Sequence, residues 1–228
     1  MTVAEAAIEA VHAQAPDLIL LLGDYAAHLP FGRGYAPGEI AGLLSELSAP
    51  LGVFNVFGNH DWWTDQAGSR ATPPRTHWHR AFDGAGIETL ENRAVLLDHE
   101  GHEIVLAGVA SQMALGRRGR NEFKGLDDLR AALDGVPQDR FTLLMAHEPD
   151  IFATLPPQVN LTLSGHTHGG QIRPFGRAVA VPSQFGTRYA YGVVEEGGRH
   201  LVVSGGIGYS MLPFRWAMRP EITMVELS

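Results

Sequence analysis

The sequence predicts an α/β fold in which parallel strands are covered by helices on both faces. Residues 17–23 and 52–58 are almost continuously apolar, and a helical pattern follows Pro37 between them, so this part of the chain has a strand, helix, strand order. The 228 residues are 45% hydrophobic and 18% charged, which is typical of a chain that folds around one hydrophobic core. We therefore expect a single domain over residues 1–228.

The remaining elements follow from apolar spacing and from turn residues. Residues 3–14 have helical spacing and Pro16 ends that helix, while the loose stretch 62–76, with Gly68 and two prolines, predicts a long functional loop. Glu100-Gly101 predicts the turn of a hairpin. The other predicted elements are the helices 38–47 and 125–134 and the strands 94–98, 103–109, 141–147, 160–165, 190–196, 200–206 and 221–227.

Composition excludes several classes of protein. The net charge of -8 argues against a nucleic-acid footprint, and the arginines 117, 118 and 120 are too few to reverse it. Zero cysteines exclude thiolate metal sites and disulfides. The first residues show no signal peptide and no segment reaches 18 apolar residues, so the sequence as it stands predicts a cytoplasmic chain without a membrane anchor. A longer N-terminus would make it membrane-associated or exported.

Four polar clusters each follow an apolar strand: Gly23-Asp24, residues 58–61, Ala146-His147 and residues 165–170. Each alone has an ordinary explanation as a turn, a helix cap or a hydrogen-bonded histidine. Together they predict a binding site, because ligands bind at the carboxyl ends of the strands in open α/β sheets.

The donor atoms of these clusters predict a metal centre. Its candidate ligands are Asp24, Asn59, His147, His166 and His168. Oxygen and imidazole nitrogen donors without sulfur suit Mn, Zn or Fe. Two such ions about 4 Å apart would clamp an in-line attack on phosphorus, with Asp24 as the bridging carboxylate.

The order of these motifs resembles a known family. GD, then GNHD, then a single histidine after an apolar strand, then GHTHGGQ, is similar to the calcineurin-like metallophosphoesterase superfamily, and SGHTHGGQ with the segment 204–227 resembles its YkuE-like and YaeI-like phosphodiesterase branch. The resemblance implies a four-layer α-β-β-α sandwich of the metallophosphoesterase type. It also implies hydrolysis of phosphodiesters or related small phosphate esters by a metal-bound hydroxide.

The resemblance also implies roles for individual residues. Asp24 would bridge two metal positions, and His168 would bind the first of them. Asn59, His147 and His166 would complete the second. His60 resembles the catalytic histidine, which contacts a phosphoryl oxygen or protonates the leaving group.

One family motif does not occur in this sequence. The family's Asp-x-His is absent from the 228 residues, which leaves only Asp24 and His168 at the first metal position. We therefore expect one firmly bound ion, a second with few ligands, and a fold without the usual first strand. The resulting groove predicts association into a homo-oligomer. Some family members carry an acidic residue near Ala27 that orients the catalytic histidine, and Asp61 or a backbone carbonyl would replace it here.

Three alternatives stay open at this point. A single ion could activate water against other esters, including carboxylic ones, or the chain could be a catalytically weak relative that binds a metal or a partner. The first residue could also be an internal Met of a longer reading frame.

Two groups of side chains near these motifs also have two readings. Trp62, Trp63, Trp78, His77 and His79 either pack in the core or line an apolar substrate pocket. Arg173 and Arg188 either form surface salt bridges or bind a phosphate group.

Overall fold

The computed structural model describes residues 2–26, 34–116, 123–210 and 212–227. Four positions named above lie outside these ranges: Ala27, Arg117, Arg118 and Arg120.

The strand, helix, strand order predicted near the N-terminus is confirmed. Strands β1 (Ile19–Leu21), β2 (Val53–Asn55) and β3 (Glu88–Thr89) form a parallel sheet in the order β1-β2-β3. The short strand β3 has no clear apolar pattern, and the sequence did not predict it.

A second sheet is built from the remaining strands, β4 (Arg93–His99), β5 (His102–Gly108), β6 (Phe141–Met145), β7 (Leu161–Ser164), β8 (Gly192–Glu196) and β9 (Arg199–Val203). Its order is β4-β5-β6-β7-β9-β8, with β5, β6, β7 and β9 parallel and the two outer strands antiparallel. The predicted hairpin is therefore confirmed as β4 and β5.

Short helices accompany the two sheets. The α-helices of the described residues are α1 (Val3–Ala13), α2 (Pro37–Leu44), α3 (Asn59–Trp63), α4 (Gln66–Ser69), α5 (His77–Gly84) and α6 (Leu129–Ala132), and the 3-10 helices are Pro149–Thr154, His168–Gly170 and Pro174–Gly176. None of these helices is both long and apolar enough to cross a membrane.

Apolar clusters define the layers of the fold. Alternate residues of a strand face opposite sides, so Leu143 and Met145 pack toward Phe54 and Val56 of the first sheet, whereas Leu144 packs toward the helical side of its own sheet. The helices α2 and α5 cover the outer face of the first sheet. Two sheets thus lie face to face with helices outside them, as the predicted sandwich requires.

Three predicted elements differ from the structure. The stretch 62–76 is not one long loop, because it contains the end of α3 and all of α4. The predicted helix 125–134 is shortened to α6. Residues 221–227 are not a strand, although their alternating apolar residues favour one. A strand needs a neighbour for its backbone hydrogen bonds, and residues 221–227 form no ladder with any described strand.

Residues 221–227 lie along an open cleft and not beside any described strand. The volume of the cleft is about 2670 Å³, and it is lined by α1, by β1 and by residues 221–227. Leu20, Leu163 and Val202 face it from both sheets, and Asp24 and His168 also line it. Association of chains there stays a prediction.

Candidate metal centre

Four parallel strands bring the predicted ligands together. Asp24 follows β1, Asn59 follows β2, His147 follows β6 and His166 follows β7. The first two strands belong to one sheet and the last two to the other. Because the carboxyl ends of parallel strands share one edge, the four turns meet where the edges of the two sheets approach each other.

Two glycines permit the close approach of the turns after β1 and β2. A Cβ at Gly23 would lie 2.3 Å from the Gly58 nitrogen, and a Cβ at Gly58 would lie 2.2 Å from Asp24 Oδ1. Gly23 also has φ +90, which other residues rarely adopt. Side chains at either position would separate the two turns.

The Asp61 carboxylate ties the same turns together. It is fully buried and accepts hydrogen bonds of 2.8–2.9 Å from four backbone N–H groups, those of residues 24, 25, 26 and 58. Burial, with repulsion from Asp24, raises the pKa of Asp61 to about 7, while backbone hydrogen bonds act in the opposite direction. These bonds hold Asp24 in its left-handed conformation at φ 63. The Asp61 side chain therefore positions backbone in this structure, and its assignment as the group that orients His60 stays a prediction.

A carboxylate and an imidazole form the centre of the site. His147 Nε2 lies 3.2 Å from Asp24 Oδ2, and His147 Nδ1 donates to the Leu22 carbonyl at 2.5 Å. Burial acts to raise the pKa of Asp24, but the histidines 147, 60 and 166 outweigh it and the pKa is lowered. Burial acts to lower the pKa of His147, but the Asp24 carboxylate raises it to about 10. The facing atoms, Asp24 Oδ2 and His147 Nε2, therefore favour a cation between them, either a proton or a metal ion.

His166 presents its other nitrogen to the same point. Its Nδ1 lies 3.2 Å from His147 Nε2, and its Nε2 donates to the Pro182 carbonyl at 2.9 Å. Burial, with repulsion from His147, lowers the pKa of His166 to about 4. The backbone carbonyls fix both rings so that His147 Nε2 and His166 Nδ1 face each other, and such outer hydrogen bonds are usual for metal-binding histidines.

These residues fit a divalent cation. Donor atoms of Asp24, His147 and His166 all lie within 4.8 Å of one another. Asn59 is 1% exposed, and its Oδ1 is buried without a hydrogen-bond partner. A buried carbonyl oxygen is costly to leave unsatisfied. Asn59 directly follows Gly58, which packs against Asp24. One carboxylate, two imidazoles and one amide oxygen suit Mn, Zn or Fe.

His60 lies beside this cluster at the start of α3. Its backbone N–H donates to Asp24 Oδ1 at 3.0 Å, and its side chain lines the cleft. Its ring centroid is 5.0 Å from that of Trp63, whose Nε1 donates to the Met113 carbonyl at 2.8 Å. The structure thus places the predicted catalytic histidine next to the candidate metal ligands, with one side of the ring against a fixed indole.

His168 lies in the same cleft but outside the cluster of three donors. Burial lowers its pKa to about 4, although Asp24 acts in the opposite direction. Its Nδ1 lies 3.4 Å from Arg215 Nη2. The predicted first metal position therefore has Asp24 and His168 near it and a cation at its edge.

The other sequence candidates divide into core, surface and site residues. Trp62 and Trp78 are each 2% exposed and belong to one apolar cluster, and the buried His79 contacts Glu91 at 2.7 Å, so packing explains these three. Trp63 contacts His60.

The two arginine candidates, Arg173 and Arg188, make structural contacts. Arg188 forms a two-pronged ion pair with Glu196 on the surface. Arg173 donates to the carbonyls of Gly169 and Gly176 and so braces the turn after β7.

Sequence reasoning missed Arg215. It lies in an irregular segment, 49 residues beyond His166, and no pattern connects the two positions. The only sequence signal was the general similarity of residues 204–227 to one branch of the family.

Comparisons with known proteins identify the family of this chain. The family profile described as calcineurin-like phosphoesterase matches residues 3–170. The chain is 31% identical over 215 residues to the Bacillus subtilis metallophosphoesterase YkuE, covering 93% of this chain and 68% of that protein. It is 31% identical over 220 residues to the Escherichia coli phosphodiesterase YaeI, covering 94% and 71%. A Bos taurus transmembrane protein with a metallophosphoesterase domain is 29% identical, covering 96% and 48%.

Solved structures support the fold. The 5'-nucleotidase precursor of Thermus thermophilus superimposes with a TM-score of 0.57 at 14% identity, covering 90% of this chain and 43% of that one. The chain thus spans less than half of this structure and of the bovine relative, and about two thirds of the two bacterial relatives.

Proposed function

The chain belongs to the calcineurin-like phosphoesterase family, and on that basis we propose that it hydrolyses phosphodiesters or related phosphate esters with a divalent metal ion. One observation carries the proposal. Donor atoms of Asp24, His147 and His166 lie within 4.8 Å of one another, and the unsatisfied Oδ1 of Asn59 is buried beside the same turns. Without a cation, the nitrogens of His147 and His166 face each other and the Asn59 oxygen has no hydrogen bond, which is unfavourable for buried polar atoms.

Asp24, Asn59, His147 and His166 would hold the ion. When bound, a divalent ion there lowers the pKa of a water molecule and offsets the charge of phosphoryl oxygens. The surrounding protein fixes the ligands beforehand: carbonyls of Leu22 and Pro182 orient the two rings, and the Asp61 carboxylate fixes the backbone of Asp24. Ligands that need no rearrangement on binding are the general requirement for such a site.

His60 would move the proton in this reaction. Its backbone is anchored to Asp24 Oδ1, and its side chain faces the cleft beside the ligands. From that position the imidazole could give a proton to the departing ester oxygen, a role that histidine side chains often have in enzymes. Trp63 restricts the ring on one side and leaves the cleft side for substrate.

The experiment is hydrolysis of bis-p-nitrophenyl phosphate by the full chain loaded with Mn²⁺ or Zn²⁺. We expect activity that chelation removes and metal restores. His60→Ala should lower kcat by about 10²–10⁴-fold, the usual range for a general acid, and Asn59→Ala should weaken metal binding. His12→Ala, which removes an exposed histidine of α1, is the matched control and should leave kcat unchanged.

Full activity in both His60→Ala and Asn59→Ala would contradict the proposal. Metal-dependent cleavage of p-nitrophenyl acetate without cleavage of the phosphodiester would instead favour the carboxylic ester alternative.

A further inference from the structure

Arg215 is a half-buried cation at the edge of the metal centre. Its Nη2 lies 3.4 Å from His168 Nδ1, and its positive charge acts on His168. His168 lines the same cleft as Asp24 and His60. The guanidinium is thus in contact with a candidate ligand of the first metal position.

The Arg215 guanidinium is held in place by backbone carbonyls. Its Nε donates to Gly208 at 2.6 Å, its Nη2 donates to Gly205, and its Nη1 makes a long contact of 3.4 Å with Arg219. Residues 205–210 form a wall of the cleft. A charged group fixed in this way keeps its position whether or not an anion is bound.

Arg215 has no carboxylate partner within ion-pair distance among the described residues. Glu221 is the acidic group that acts on its charge, but the Glu221 oxygens accept from Tyr191 at 2.6 Å and from the Gly205 nitrogen at 2.8 Å. The arginines 75, 93, 140 and 188 differ in that each is paired with a carboxylate on the surface. A fixed guanidinium that lacks such a pair, next to the candidate metal ligand His168, has the chemistry of an anion-binding group.

We propose that Arg215 binds the phosphoryl oxygens of the anionic substrate, and of inorganic phosphate as an analogue of that group, at the His168 side of the metal centre. The guanidinium has five N–H donors, and Nη1 has one contact among the described residues, so an N–H of Nη1 remains for the ligand. The class of substrate in this inference, a phosphate ester, is taken from the proposed function. The inference adds a residue from the C-terminal segment to a site that is otherwise built from strand ends.

The first measurement is the dissociation constant of inorganic phosphate for the metal-loaded full chain, by isothermal titration calorimetry. Arg215→Gln should weaken phosphate binding about tenfold or more, because a charge-assisted hydrogen bond is lost. Arg215→Lys keeps the charge but loses the planar guanidinium with its paired N–H donors, and its dissociation constant should be intermediate. Arg199→Gln is the matched control, because Arg199 also donates to carbonyls, those of Phe152 and Leu155, but its guanidinium lies over the Phe152 ring and not beside His168.

The second measurement separates anion binding from support of the loop. KM for p-nitrophenyl phosphate should rise in Arg215→Gln, while KM for the neutral p-nitrophenyl acetate should not. Equal losses for the two substrates would mean that Arg215 only supports the loop, and this would overturn the inference. Melting temperatures identify any variant that fails to fold. If Arg215→Gln does not fold, the comparison is made with Arg215→Lys.

The two proposals fail in different ways. Phosphate binding that depends on Arg215 without hydrolysis of any phosphate ester would refute the proposed function, and only the assignment of Arg215 as a phosphate-binding residue would remain. Hydrolysis with unchanged phosphate affinity in Arg215→Gln, or no phosphate binding by the wild type, would refute this inference.

Discussion

The two sides of the candidate metal centre are built in different ways. Asp24, Asn59, His147 and His166, which we call the Asp24 side, follow four parallel strands, and every one of their turns is fixed by buried hydrogen bonds or by close backbone approach. The other side, which we call the His168 side, consists of His168, which begins a short 3-10 helix and lines the open cleft, and Arg215, which contacts it from an irregular segment. The difference teaches that one metal position is organised by the sheets themselves, whereas the other depends on segments outside them.

The largest expected effect follows from removing a ligand of the Asp24 side. His147→Ala should abolish tight metal binding and lower kcat/KM by about 10³-fold or more, because transition-state charge stabilisation is lost. Activity is measured on the phosphodiester after metal titration. Activity within tenfold of the wild type would mean that the tight position is elsewhere.

Asp61→Asn should disrupt the same side through the backbone. An amide cannot accept from four N–H groups at once, so buried donors lose their partners and the free energy of unfolding should fall by on the order of 3 kcal/mol. Chemical denaturation of the metal-free chain measures the change. Glu88→Gln, which removes the charge of an exposed ion pair with Arg93, should cost less than about 1 kcal/mol. Equal costs for the two variants would contradict the bracing role.

His168→Ala tests the other side and should be milder. The tight ion should stay, and activity should fall by about 10–100-fold, as for supporting residues around a metal. Metal affinity and kcat are measured on one preparation. Loss of the tight ion in this variant would remove the distinction between the two sides.

The pH dependence of metal binding sharpens the comparison further. The pKa of His147 is raised from 6.5 to about 10, so the metal-free chain keeps this proton at pH 7. The contribution of this proton to stability is complete below pH 6.5 and is lost progressively as the pH rises to about 10. The pKa of His166 is lowered to about 4, so it is already neutral. Metal binding should therefore release one proton, and affinity should fall about tenfold for each unit that the pH is lowered. Titration calorimetry in buffers of different ionisation enthalpy counts the proton. Release of no proton would contradict the pairing of His147 with Asp24.

Much of the Asp24 side could be predicted from the sequence, because its parts are local. An apolar run followed by a polar turn predicts both a strand and the position of the turn, and parallel pairing then brings the turns together. The hairpin of β4 and β5 was predictable for a similar reason, since Glu100-Gly101 separates its two apolar runs.

The remaining features depend on long-range contacts. Residues 221–227 have the pattern of a strand, but only the arrangement of the two sheets decides whether they have a neighbour. Arg215 reaches His168 across 47 positions of the chain, and Asp61 acts through four backbone groups that carry no sequence signal. Contacts of this kind follow from tertiary packing rather than from local propensity.

The number of metal ions per chain is the measurement that tests the central claim most directly. The full chain is loaded with Mn²⁺ or Zn²⁺, dialysed extensively, and analysed by inductively coupled plasma mass spectrometry against protein concentration. We predict one retained ion per chain, held by the Asp24 side, with a second ion bound only when free metal is present. Two ions retained equally, or none, would contradict the account.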